Sequence, residues 1–321
     1  MVATIERIGG LQTQYAPSGY IGLWSRMRNF NRDALTEALQ MRRVIQGTLL
    51  RSTIHMVSAR DYWLFQAATR TARQDWWRRV TRHQISELDM RAAVGAIRNH
   101  LANGPRPAND LKRILGDRGL PSFAFGGVAQ WLEMVRVPPS GTWEQRRAEL
   151  YGIAEGWIRP AAHNEATGLE HLIRRYLGAF GPASVREIAD WGGIPHTKLV
   201  PVLGRMSLRH FRDEKGKDLI DLPRAPLPDA DTPAPVRFLP TWDATLLVHA
   251  RRTQILPEKY RPLVFNTRTP HSVPTFLIDG AVAGTWRVER DRVELKPFEP
   301  IPKAMRREVD DEAQRLAAFF R

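Results

Sequence analysis

The apolar positions switch between a helical period and a strand period, and the same order of switches recurs three times. In residues 18–30, Ile21 and Trp24 sit at helical spacing with Tyr20, Leu23 and Met27 beside them, which predicts a helix. Ahead of it a short helix is expected up to Leu11. Asn31 or Asp33 caps a second helix over 34–41. Residues 44–57 are rich in β-branched side chains and predict two short strands around Gly47, after which Ser58 opens a helix through Ala68. The order returns at 89–160, with helices over 90–102, 108–115 and 124–134. A strand at Val135-Arg136-Val137, the turn Pro138-Pro139-Ser140-Gly141 and a return strand near 150–153 follow.

The third repeat, 169–224, is the plainest. A helix over 169–180 closes at Gly181-Pro182, and Ser184 with Glu187 forms a capping box for 185–191. Gly192-Gly193-Ile194 makes a tight turn, Pro195 opens a helix over 195–206, and 208–222 folds back about Asp213-Glu214-Lys215-Gly216. Helices followed by a strand pair are the order of a winged helix, a helix-turn-helix variant whose last helix reads DNA. The repeat length is irregular, so a solenoid is excluded.

A proline-rich connector, 223–235, leads into a β-rich region. Strands are expected at 236–239, 244–249, 275–279 and 281–288, with an edge at 292–295 and a hairpin turn at Asp279-Gly280. A final amphipathic helix, 302–321, turns Val309, Leu316, Phe319 and Phe320 inward. The fold class is therefore α+β, in four segments: three winged-helix units over 1–86, 87–165 and 166–228, then 229–321.

Composition narrows the partners. The chain has 321 residues, no cysteine and a net charge of +14, with a sequence pI near 10.7. Disulfides and thiolate chemistry are excluded, and so strong a basic balance points to a polyanion, most simply nucleic acid. Only 7 of the 48 basic residues are lysine. Arginine suits phosphate forks and minor grooves, although a GC-rich genome favours it too. No apolar run is long enough to span a membrane and no signal peptide is visible, so the cytoplasm is the expected location.

Few constellations carry chemistry. His163, His171, His196 and His210 lack metal-ligand spacing, so no metal or other cofactor is expected. There is no Gly-x-Ser-x-Gly elbow, and Gly9-Gly10 and Gly126-Gly127 are neither phosphate loops nor dinucleotide fingerprints. Gln12 and Gln14 share a side if the backbone there is extended. Neither titrates, but each amide can hold a water or a sugar oxygen; alone, such a pair reads as a polar helix end. Alternation puts Arg51, Thr53 and His55 on one face, either as a buried, satisfied histidine or as contacts to a phosphate or lesion. In Leu239-Pro240-Thr241-Trp242-Asp243, Trp242 reads as core packing and Asp243 as a cap or turn acceptor. Lys198, on the third unit's last helix, and Arg268 and His271, in the polar loop 266–274, are candidate DNA contacts; that loop either enters a groove or lies on the surface.

Gly10 to Gln14, Arg51-Ser52-Thr53-Ile54-His55, Leu239 to Asp243, and Leu277-Ile278-Asp279-Gly280 with Gly284-Thr285-Trp286 occur in that order. Together they resemble the bacterial winged-helix family that contains the AlkZ-type DNA glycosylases, over nearly the whole chain. The resemblance implies tandem winged helices in a C-shaped clamp with an added β region. It implies excision of N7-alkylguanines from double-stranded DNA, bulky or crosslinked adducts among them, in base excision repair. It assigns the catalytic Gln-x-Gln to Gln12 and Gln14, in the branch that has glutamine rather than aspartate second. Family members usually have a further helix before this motif, which here begins within a dozen residues of Met1, so either the start is assigned late or the first unit is incomplete. The expected protein is a monomeric, monofunctional glycosylase, nucleoid-associated. The alternative is a non-catalytic winged-helix DNA-binding protein or regulator; an RNA-binding module lacks its aromatic motif.

Overall fold

The computed structural model describes residues 1–147, 149–247, 253–266 and 271–321. Helix α1 (Val2–Arg7) ends earlier than expected and turns into β1 (Leu11–Gln12). The turn is Gly9-Gly10, with φ of 70° and 88°, a region open to glycine without steric cost. A Cβ on Gly9 would lie 2.9 Å from the Trp191 ring, and one on Gly10 2.8 Å from Val57. The doublet thus serves a close approach of chain to chain.

Helices α2 (Pro17–Trp24) and α3 (Arg32–Gln40) follow, and Asn31 caps α3 by accepting from the Asp33 and Ala34 N–H groups. Strands β2 (Val44–Thr48) and β3 (Ile54–Ser58) form the expected pair, and Ser58 caps α4 (Ala59–Thr81). The pair turns at 49–53 rather than at Gly47, which lies inside β2 facing the Tyr62 ring. Arg51 and Ser52 make the turn with φ of 52° and 58°, values uncommon outside glycine and asparagine. Helix α4 also runs past Ala68 to Thr81, because its arginine-rich second half still buries Thr69, Ala72 and Arg73.

Next come α5 (Glu87–Leu101), β4 (Arg106–Pro107), α6 (Ala108–Gly116), α7 (Ala124–Trp131), β5 (Met134–Arg136), β6 (Leu150–Ile153) and α8 (Ala154–Trp157). Then α9 (Glu165–Phe180), α10 (Val185–Gly192) and α11 (His196–Leu203) lead into a hairpin of β7 (Arg209–Arg212) and β8 (Asp218–Asp221). The Ser184–Glu187 capping box forms, and Gly193 closes α10 in the left-handed conformation.

The first two strand pairs do not stand apart. β2 pairs with β5, so one antiparallel sheet runs β1-β3-β2-β5-β6-β4 with β1 at its edge. One face of this sheet, through Ile45, Val57 and Val135, shares a core with α4, α9 and α10. The other face, through Leu11 and Met56, shares a core with α2, α3 and the C-terminal region. Helices α5 to α7 close a third core. β1 therefore sits where the start, middle and end of the chain meet.

The C-terminal region holds β9 (Arg237–Leu239), α12 (Arg261–Val264), the short pair β10 (Phe265–Asn266) and β11 (His271–Ser272), then β12 (Thr275–Ile278), β13 (Ala281–Glu289), β14 (Arg292–Pro297) and α13 (Arg306–Phe320). The four-stranded order is β14-β13-β12-β9, with the expected turn at Asp279-Gly280. The strand expected over 244–249 is not one in its described part. Residues 244–247 wind into a turn, with the Leu246 and Leu247 N–H groups donating to the Asp243 carbonyl; 248–249 lie outside the described residues. Val309 and Leu316 of α13 are fully buried, as the amphipathic pattern predicts. No helix among the described residues is long and apolar enough to cross a membrane.

Candidate active site

Gln12 is the last residue of β1, and Gln14, in the bend beyond it, is held to β3 by a displaced ladder bond. Leu11 pairs with Met56 and Gln12 with His55, and the Thr13 N–H donates to the Ile54 carbonyl at 2.8 Å. The Ile54 N–H, free to continue the ladder, donates instead to Gln14 Oε1 at 3.0 Å. The Thr13 carbonyl accepts from Arg136 Nη1 at 3.2 Å. The strand ends there, with Gln14 exposed and Gln12 half-buried.

Gln12 has a second partner from far along the chain. Arg51 Nη2 donates to Gln12 Oε1 at 2.8 Å, and Nη1 donates to the Trp191 carbonyl near the end of α10. That end of a helix carries partial negative charge, which suits a guanidinium. The approach is close: a Cβ on Gly193 would stand 2.9 Å from Arg51 Cα. Among the described residues no carboxylate pairs with Arg51. Burial lowers its pKa to about 10, so it keeps its charge at neutral pH.

His55 faces the same side as Gln12 and is 3% exposed. Burial, then the charge of Arg51, lowers its pKa to about 3, against the opposing pull of a backbone bond to Thr53. The ring is neutral at physiological pH. With Nδ1 set 3.1 Å from the Thr53 carbonyl, that nitrogen carries the proton and Nε2 is the acceptor.

Two more buried arginines flank the strands without a carboxylate pair among the described residues. Arg73 donates to the Thr48 and Ala129 carbonyls and to Gln66 and Gln130 side chains. Arg136 bridges Gln46 Oε1 at 2.9 Å and the Thr13 carbonyl, while Gln46 donates to the Gly141 carbonyl at 2.7 Å. Arg51, Arg73 and Arg136 thus donate to neutral oxygens, Arg136 from the face of the sheet opposite Gln12.

Gln12, Gln14, Arg51 and His55, all expected from the sequence, are brought together by the pairing of β1 with β3 and the turn at 49–53. Arg136, Trp191 and Gly193 were missed as members of this site. A charged residue between two buried valines, Val135 and Val137, was the one available signal for Arg136. Lys198 lies elsewhere in role: on α11 it pairs with Glu165 of α9 at 2.6 Å. Arg268 lies outside the described residues, and His271 is described only by its backbone, paired with Asn266. Asp243 is buried and held by Arg26 through bonds of 2.9 and 2.7 Å. Trp242 is half-buried with a φ of 58°, not a core residue, and its N–H donates to Ser272 Oγ at 2.7 Å. Among the described residues no group of acids and histidines could hold a metal.

One cavity borders the site and a second lies apart from it. One of about 320 Å³ lies beside β1, bordered by Gly10, Leu11, Arg26, Phe180 and Ala244. One of about 500 Å³ is lined by Trp77, Met90, Arg91 and Trp131. It sits at the far end of α4, whose 23 residues span roughly 34 Å, and so lies away from Gln12. Gly127 accounts for its shape: Trp77 rests where a Cβ would stand 2.6 Å away.

With this geometry in hand, comparison with known proteins is decisive at one level. The model of the family described as DNA glycosylase AlkZ-like matches residues 5–319. The chain belongs to that family. Membership in this family makes it a DNA glycosylase, a hydrolase of N-glycosyl bonds whose substrate is DNA. The structure of the Streptomyces sahachiroi DNA glycosylase AlkZ superimposes with a TM-score of 0.81 at 17% identity, covering 99% of this chain and 90% of that one. At that identity the likeness shows the shared fold. No curated protein matches the chain by sequence.

Proposed function

We propose that the chain excises N7-alkylated guanine from duplex DNA as a monofunctional glycosylase, with Gln12 and Gln14 holding the attacking water. The observation that carries this is the amide pair itself: two glutamines at the end of an edge strand, Gln14 exposed and Gln12 half-buried, the latter bonded to a buried cation. Alkylation at N7 makes guanine cationic, so it leaves neutral without a general acid. The water oxygen forms a bond to C1′, the C1′–N9 pair departs with the base, and the surplus proton passes to solvent. The sugar goes through an oxocarbenium-like state, as in other glycoside cleavage. Such a reaction asks for placement and electrostatic support more than for a strong base.

None of Gln12, Gln14, Arg51 and His55 carries a nucleophilic amine, which supports hydrolysis over lyase chemistry. The net charge of +14 suits a phosphodiester backbone. We read the three helix groups with their strand pairs as tandem winged-helix units presented to the duplex.

The test is base release from oligonucleotides carrying one N7-methylguanine or one bulky N7 adduct, followed by alkaline strand cleavage. Wild type releases base; the double variant Gln12→Ala with Gln14→Ala releases it about 10³-fold more slowly, the scale set by loss of positioned polar groups. Unchanged release in the double variant strips both residues of the role. Tight duplex binding without release from either substrate makes the chain a DNA-binding protein without this activity.

A further inference from the structure

The two glutamines are not equivalent, and Arg51 makes the difference. A guanidinium has no acceptor, and neither has a backbone N–H. The atom of Gln12 that meets Arg51 is therefore its carbonyl oxygen, and the atom of Gln14 that meets the Ile54 N–H is likewise its oxygen. Among the described residues neither Nε2 bonds to protein. Gln14 is exposed and its oxygen retains a lone pair towards solvent, whereas the Gln12 oxygen is turned into the protein against Arg51.

Arg51 itself is fixed from several sides. Its backbone sits in the left-handed region, followed by Ser52 in the same region. Such conformations persist where the surroundings over-determine them, and they cluster at functional sites. Trp191 holds its other nitrogen, and Gly193 packs on its Cα.

We propose that Arg51 is a positioning residue rather than a DNA contact: it locks Gln12 so that the amide N–H₂ meets the attacking water, which Gln14 holds from the other side as an acceptor. The proposal rests on the glycosylase reading. The water accepts one bond from Gln12 Nε2, donates one to Gln14 Oε1, and keeps its remaining lone pair for C1′. The Arg51 charge, 2.8 Å from the Gln12 oxygen, polarises the amide and strengthens its N–H as a donor.

The experiment measures single-turnover base release, duplex affinity and the slope of log affinity against log salt for three variants of the full chain. Arg51→Met removes the bond and the charge; release falls about 100-fold, as for a misplaced group, while affinity and salt slope stay at the wild-type values. Arg51→Lys, which keeps the charge but not the two-point reach, falls less. Gln12→Glu keeps the bond to Arg51 but sets an oxygen where the N–H₂ stood, so release falls although the melting temperature rises. Normal release in Arg51→Met overturns the proposal. So does a salt slope that drops by about one, which marks a lost phosphate contact, and so does full activity in Gln12→Glu. A wild type that releases no base overturns the glycosylase reading instead. The lock is then read alone, from a double-mutant cycle of Arg51→Met and Gln12→Met in urea unfolding, where additivity overturns it.

Discussion

Two arginines join distant parts of this chain, and they are solved in opposite ways. Arg26 reaches 217 residues to Asp243 and forms a two-point ion pair, adding bonds to Thr245 and to the Gly22 carbonyl. Burial raises the Asp243 pKa, but the charge and bonds of Arg26 outweigh it and hold the carboxyl below its usual range. That pair is neutral in sum and pins α2 to the loop after β9. Arg51 reaches Gln12 and Trp191 and meets only neutral oxygens, so its charge is left standing beside the glutamine pair. A compensated buried charge is architecture; an uncompensated one acts on whatever enters the site.

The largest expected effect separates the two. Asp243→Ala leaves Arg26 without its counter-charge and costs about 3–5 kcal/mol of stability, the scale for breaking a buried pair. Arg51→Met removes a buried charge that has no counter-charge, and such replacements by apolar residues are often close to neutral. Urea unfolding checks the order. If Arg51→Met is as damaging as Asp243→Ala, the two arginines are structural alike and the contrast fails.

Gly193→Ala sharpens the same comparison at smaller scale. The residue has a φ of 68° and a Cβ would stand 2.9 Å from Arg51 Cα. The strained backbone costs roughly 1 kcal/mol, and the displaced turn carries Arg51 with it. Melting temperature falls by a few degrees while base release falls further than stability alone accounts for. A drop in stability with release unaltered would detach Gly193 from the site.

How much of this was legible follows from the range of each interaction. Caps, the Gly192-Gly193 turn and the β-hairpin at Asp279-Gly280 are written within four residues, and all formed. The hairpin turn at 49–53 was hidden because Arg51 and Ser52 are poor left-handed residues, held there by Trp191 and Gly193 rather than by their own preference. The strand expected after Leu239 was lost to Asp243, whose side chain accepts from the Thr245 N–H and winds the backbone into a turn. Nothing in the pattern reveals that β2 pairs with β5. The Arg51–Gln12 bond joins residues 39 apart, and no periodicity reaches that far.

The smallest expected effect is no effect, and it tests the site most directly. Glutamines do not titrate, His55 is neutral down to about pH 3, and Arg51 is charged up to about pH 10. Single-turnover release is therefore flat from about pH 6 to about pH 9, where a general acid or base would bend it. A bell-shaped profile in that range would bring in a titrating group beyond these four residues and end the reading of a catalytic face without one. Stability behaves differently. His55 binds a proton near pH 6.5 when unfolded but only near pH 3 when folded. Between those values the unfolded chain holds more protons, so stability rises with pH up to about 6.5 and is flat above it. His55→Gln removes this part of the acid slope while leaving the release profile flat, which separates what the buried ring does for the fold from what the amides do for the reaction.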